Sequence, residues 1–365
     1  MAGSKPDGRA DIARGAWWRV AAALALGTLG GGLFAYMGVP LPWLLGALVL
    51  TTGSSIAGFA YAIPTGLRRS MIGVVGVMLG STFTPERLSA DAGWLPSLVA
   101  LPVYILLVGA VIYAYLRWRS DLDRTSVFFA AAPGGLSEMI ALSDQMGGDV
   151  RSVSLVHATR LTFIVFTIPL LAALAGLEAP AAAPAAAPVP LAVWDVLILL
   201  VLALAGYALA IRVRLPAAAF LGPLFGSTLA HVTGWVEAAP PYALLAIAQL
   251  VIGSTVGERF AGVPLVVVRR AMLLGAGATL LMLAVTLAFA ALLSGVTGHA
   301  LLLLLLAFIP GGFTEMSLIA LAMGVDPAFV VTHHSFRVFL VILIALPVFL
   351  LLQRAGWLKG KTKER

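Results

Sequence analysis

The chain contains no cysteine. Thiol chemistry, disulfides and cysteine-ligated metals are therefore excluded. Charge is nearly as scarce: Asp, Glu, Lys and Arg make up 11% of the 365 residues, against roughly 25% in a soluble domain. Histidine occurs five times. A copper or iron site needs several converging imidazole, thiolate or carboxylate ligands. Here only His333 and His334 are adjacent, and neighbours on a helix point in different directions, which argues against oxygenase chemistry. Long polar stretches are missing too. Residues 1–16 and 354–365 are the polar ends, and neither can house a DNA-recognition module.

What fills the chain instead is apolar. Hydrophobic residues make up 61%, and long apolar runs recur from Trp17 to Leu352, where about 20 residues suffice to cross a bilayer. The chain reads as an all-α polytopic membrane protein. The stretch "MAGSKPDGRADIARGAWWR" is too polar for a signal-peptide core and lacks a cleavage site before the first span, so a short retained tail is expected. The net charge of +7 and pI near 10 record topology, because basic residues beside spans sort to one side. No nucleic-acid partner is expected.

The sequence also repeats itself at an offset near 176. Trp18 meets Trp194, Gly30 meets Gly206, and "PLPWLLGAL" from Pro40 meets "PAAAFLGPL" from Pro216. "LGSTFTPERL" from Leu79 aligns with "IGSTVGERF" from Ile252. Between 132–160 and 309–337, 11 of 29 positions are identical, among them a Glu, a His and an Arg. Each half offers six apolar segments: 17–37, 41–62, 68–83, 93–116, 125–145 and 151–174, with counterparts beginning near 192, 215, 242, 270, 298 and 328. The domain plan is thus a cytoplasmic tail (1–16), a first membrane repeat (17–175), an extended Ala/Pro-rich linker (176–191), a second repeat (192–353) and a basic cytoplasmic tail (354–365).

Charge decides how the halves run. With the N-terminus inside, six crossings per half place 14 of the Lys and Arg residues inside and seven outside. If the fifth segment of each half enters and returns on the same side, the second half is inverted, and the count becomes 20 inside against Arg87 alone outside. The positive-inside rule prefers the second arrangement. About ten transmembrane helices plus two broken, re-entrant segments in inverted repeats is also a plan of secondary transporters.

The breaks carry the candidate chemistry. "AAPGGLSEM" (131–139) and "FIPGGFTEM" (308–316) interrupt their helices, since Pro removes a donor and Gly relaxes the backbone. The restarting helices present free N–H groups at Gly134, Gly135, Gly311 and Gly312, with Ser137 and Thr314 hydroxyls alongside. Glu138 and Glu315 read either as proton or sodium coupling sites or as caps of their own helices. His157 and Arg160 share a helix face, as do His334 and Arg337. A membrane-buried Arg needs a partner, and the motif glutamates are the nearest candidates. The pairs either bind an anion and relay protons or form a structural Glu–Arg link. Asp149 and Asp326 read as helix N-caps. Secondary candidates are Ser81, Thr82, Gln249, Ser254 and Thr255, as ion ligands or as packing. Trp17, Trp18, Trp94, Trp194 and Trp235 read as interfacial anchors.

The doubled PGG-[LF]-[ST]-E-M with a downstream H-x-x-R, together with the GST elements, resembles the bacterial AbrB-duplication membrane family. That resemblance covers residues 18–350 and implies an integral inner-membrane protein of a proteobacterium; the charge count is what places both termini on the cytoplasmic side. The family carries ammonia monooxygenase and AbrB-type regulator names, the latter implying an indirect role in regulation of gene expression. The architecture also looks like that of glutamate/sodium and bile acid/sodium symporters. The expected activity is transport of a small polar or anionic solute coupled to H⁺ or Na⁺, with a membrane sensor as the alternative. Expected partners are that solute, the coupling ion and the bilayer, with a homodimer as one option. No cofactor, metal or catalytic residue is expected.

Overall fold

A computed structural model describes residues 17–85, 92–174 and 190–357. The N-terminal tail, Arg87, nearly all of the linker and the chain from 358 onward lie outside the described residues. Among those described there are fourteen helices and no strand. In chain order they are α1 (Trp17–Tyr36), α2 (Pro42–Ile56), α3 (Thr65–Gly80), α4 (Leu95–Arg119), α5 (Arg124–Ala131), α6 (Leu136–Gln145) and α7 (Val150–Leu174). There follow α8 (Val193–Arg212), α9 (Ala218–Val232), α10 (Tyr242–Glu258), α11 (Leu265–Thr297), α12 (Leu301–Phe308), α13 (Phe313–Ala322) and α14 (Pro327–Arg354).

Six of these helices, α1, α4, α7, α8, α11 and α14, are long and apolar enough to cross a membrane, so the protein is membrane-embedded. The other four expected spans, α2, α3, α9 and α10, are shorter, at 15, 16, 15 and 17 residues, or roughly 22–26 Å at 1.5 Å per residue. Lengths recur seven helices apart: α1 and α8 have 20 residues, α5 and α12 have 8, and α6 and α13 have 10. The residue before α2, Leu41, and the one before α9, Ala217, both hold left-handed backbone at φ 52° and 49°. That conformation is uncommon without glycine, yet it occurs at the same point of both halves. Asp149 and Asp326 cap α7 and α14 as expected, accepting from the backbone N–H groups of Arg151 and Ala328 at 3.0 Å each. Trp17, Trp18, Trp194 and Trp235 are exposed, as interfacial anchors would be. Trp94 is instead half-buried, edge-on to Phe329.

The chain divides into two compact units, one of Met1–Ile72 with Tyr242–Leu265, the other of Gly73–Pro241 with Val266–Arg365. In the first unit α1 crosses α2 so closely that a Cβ on Gly30 or Gly46 would fall on the other's backbone. Helix α10 completes this pair, laying Gly253 on the Leu44 carbonyl and Gly257 on Thr51 and Thr52. Without a hydrophobic force between helices in lipid, such small-residue contacts are what hold them.

In the second unit the same scheme recurs. Gly206 of α8 meets Gly222 of α9. Gly76 of α3 lies on the Phe220 carbonyl of α9, Gly80 lies on Ser227, and Ser227 Oγ donates to the Val77 carbonyl at 2.7 Å. Thus α10, from late in the chain, packs on α1 and α2, while α3, from early in the chain, packs against α9.

These contacts correct the alignment of the two GST elements. Since Gly253 stands to Leu44 as Gly76 stands to Phe220, the structural equivalents are Gly76 with Gly253 and Gly80 with Gly257. That register is one helical turn from the sequence match. Both helices carry glycines four apart, and a shift of one turn keeps small residues aligned.

Candidate functional site

The site begins where proline and two glycines stop a helix. Helix α5 ends at Ala131 and α6 starts at Leu136, with Gly135 extended at φ −65°, ψ 141°. Helix α12 ends at Phe308 and α13 starts at Phe313, with Gly312 at φ −66°, ψ 140°. At 8 to 10 residues these four helices are each too short to cross a bilayer. Each break leaves carbonyls unpaired at one end and N–H groups unpaired at the other, and in a bilayer both sets require a partner.

The carbonyl ends are closed by side chains from α7 and α14. His157 Nε2 donates to the Phe129 carbonyl at 2.9 Å, and His334 Nε2 to the Leu306 carbonyl at 2.9 Å. A carbonyl only accepts, so both rings carry the proton on Nε2 and leave Nδ1 to accept. Arg160 NH2 donates to His157 Nδ1 at 2.9 Å, and Arg337 NH2 to His334 Nδ1 at 3.1 Å. Each guanidinium then reaches the break. Arg160 NH1 donates to the Ala132 carbonyl at 3.3 Å. Arg337 NH1 reaches the carbonyls of Ile309 at 2.7 Å and Phe308 at 3.3 Å, and its NH2 reaches that of Gly311 at 3.2 Å. His157, Arg160, His334 and Arg337 are all buried.

The expected Glu–Arg link is therefore corrected. The arginines serve as C-terminal caps for the preceding short helices, favoured by the negative end of each helix dipole. Glu138 and Glu315 are half-buried, and each carboxylate folds back over the glycine three residues before it, where a Cβ would collide with it. Neither is held by a hydrogen bond or ion pair among the described residues. The first helical bonds are Met139 N to Gly135 O and Met316 N to Gly312 O, so the three amides before each lie at the open helix start. Ser137 is exposed there, and Thr314 is buried.

Each break packs on the long helix of the other half. A Cβ on Gly134 would meet Val341 of α14 at 2.9 Å, and one on Gly312 would meet Leu161 of α7 at 2.9 Å. Tyr104 of α4, unremarked in the sequence because it sits in a plain apolar run, is fully buried. Its hydroxyl pairs with Thr286 of α11 at 2.7 Å, and its ring stands edge-on to Phe308 at 5.2 Å. His333 faces away from His334, pairing with Ser97 of α4 at 2.8 Å.

The secondary candidates do not form a matched pair. Ser81 and Thr82 follow the end of α3 and donate to the carbonyls of Met78 and Leu79, at 2.7 Å each. Thr255 donates within α10 to the Ile252 carbonyl at 2.7 Å. Ser254 and Gln249, both fully buried in α10, keep Oγ and both amide atoms without hydrogen-bond partners.

The chain is 28% identical to "Uncharacterized protein YhjN" of Bacillus subtilis (strain 168), over 94% of each chain. It is 23% identical to "Putative regulator AbrB" of Escherichia coli (strain K12), over 84% of this chain and 88% of that one. No solved structure matches. The family model for AbrB, described as transition state regulatory protein AbrB, covers residues 43–353, and the chain belongs to that family.

Proposed function

We propose that the protein is a secondary transporter of a small polar or anionic solute, coupled to H⁺ or Na⁺ and working by alternating access around its two broken segments. One observation carries this reading. Both helix breaks have their carbonyl ends sealed by buried His–Arg pairs, while their N-terminal ends keep a carboxylate, Glu138 or Glu315, with no hydrogen bond or ion pair among the described residues. A purely structural break would be expected to seal both ends. Backbone N–H groups and a carboxylate near a break suit ion and solute binding at the middle of the membrane. The recurrence of the His–Arg caps 177 residues later supports reading the halves as repeats, and the positive-inside count supports their inversion in an inner membrane with both termini cytoplasmic.

Uptake by purified protein in proteoliposomes tests the proposal. Accumulation of a solute above equilibrium is expected only under an imposed proton or sodium gradient. Binding without net flux would remove the transporter reading in favour of a membrane sensor, the role closest to the regulator name of the Escherichia coli relative. Orientation is checked separately in a chain free of cysteine. A cysteine replacing Ala183 in the linker is expected to react with an impermeant maleimide from the periplasmic side, and labelling from the cytoplasm alone would overturn the inverted topology.

A further inference from the structure

We propose that the Arg160–Arg337 pair binds a compact monoanion. Both side chains are more than nine-tenths buried, at 5% and 3% exposure. Their hydrogen-bond partners are carbonyl oxygens and imidazole Nδ1 atoms, all neutral. Neither forms an ion pair among the described residues, with the motif glutamates or with any other acid. The breaks they cap pack across one another: Gly312 lies against Leu161, the neighbour of Arg160, and Gly134 against Val341, four residues after Arg337. They come from different halves of the chain and share one compact unit.

Two buried cations in a low-dielectric interior call for compensation. The C-terminal ends of α5 and α12 contribute about half a negative charge each. Roughly one positive charge is left over on this reckoning, so a single monoanion would balance the pair and a dianion would reverse its sign. Arg337 also keeps one donor in reserve, since its Nε is buried with no hydrogen-bond partner. Buried donors normally find one. A planar carboxylate or a halide could accept from that Nε–H, and both chemistries fit.

That the anion is also the transported solute rests on the transporter reading; its binding does not. Full-length protein in nanodiscs is titrated with sodium acetate or sodium chloride against a sodium sulfate background of constant ionic strength, with thermal unfolding followed by tryptophan fluorescence. Saturable stabilisation by acetate, chloride or both is expected. Preference for acetate points to a carboxylate-bearing solute, and preference for chloride to a resident halide. Apparent affinity should fall at least tenfold in Arg337→Lys, which keeps the charge but loses Nε. Should that variant not fold, Arg160→Lys is measured in its place, with a smaller fall expected because only the planar guanidinium is lost there. No saturable effect of either anion, or unchanged affinity in the Lys variants, overturns the inference. Saturable binding with no anion uptake leaves the site standing and removes the transporter reading. Gradient-driven uptake of a neutral or cationic solute, with neither anion stabilising the protein, does the reverse.

Discussion

Exchanging Arg337 for leucine is expected to destabilise the protein by about 3–5 kcal/mol, comparable with breaking a buried ion pair. The side chain holds the carbonyls of Phe308, Ile309 and Gly311 and the Nδ1 of His334. Leucine would leave the Phe308 and Gly311 carbonyls and the His334 Nδ1 without this donor, at about 1–3 kcal/mol for each one left unsatisfied, while the Ile309 carbonyl still accepts from Gly311 N at 2.8 Å. Arg160 reaches one carbonyl besides His157, so Arg160→Leu is expected to cost less. An opposing effect is the relief of repulsion between the two guanidiniums. Lysine separates the two contributions, because Arg337→Lys preserves the charge while cutting five N–H donors to three and losing the planar fork that reaches several acceptors at once. If capping dominates, stability falls in the order wild type, lysine, leucine. A leucine variant more stable than the lysine variant, in thermal unfolding of purified protein, would mean that repulsion wins.

The second large effect concerns flux. Glu138→Gln and Glu315→Gln are each expected to reduce gradient-driven uptake at least tenfold, because glutamine keeps the shape of the side chain while losing the group that charges and discharges. Capping alone predicts another outcome. A carboxylate that only satisfies its own helix start contributes about 1 kcal/mol of stability, so the Gln variants would melt slightly earlier and carry solute at the wild-type rate. Unfolding and uptake measured on the same preparations distinguish the two. Unchanged flux in both variants would remove the coupling role.

Features fixed by single residues were legible in the sequence. Pro133 and Pro310 with their paired glycines mark the breaks to within a residue, and Asp149 and Asp326 mark the helix starts that follow. These are local effects that need no knowledge of the partner element. What a side chain touches across the fold was less legible. Seeking a partner for Arg160 and Arg337 among the acids overlooked the carbonyls exposed by the breaks themselves, which are invisible as letters. The GST match failed for a related reason: helix packing reads small residues every four positions, so a sequence alignment can slip one turn without an obvious mismatch. Tyr104 and Thr286 gave no warning because nothing in a single apolar run tells which polar residue will face another.

The placement of α10 against α2 has a consequence for synthesis. Helix α2 ends at Ile56, and the partner for its face at Leu44, Thr51 and Thr52 begins at Tyr242. At about 5–20 residues per second, that face waits roughly 10 to 40 s in the membrane before α10 is made. During that time its first unit is incomplete, and an N-terminal half released early would leave the insertion machinery with an interface built for a helix it does not encode.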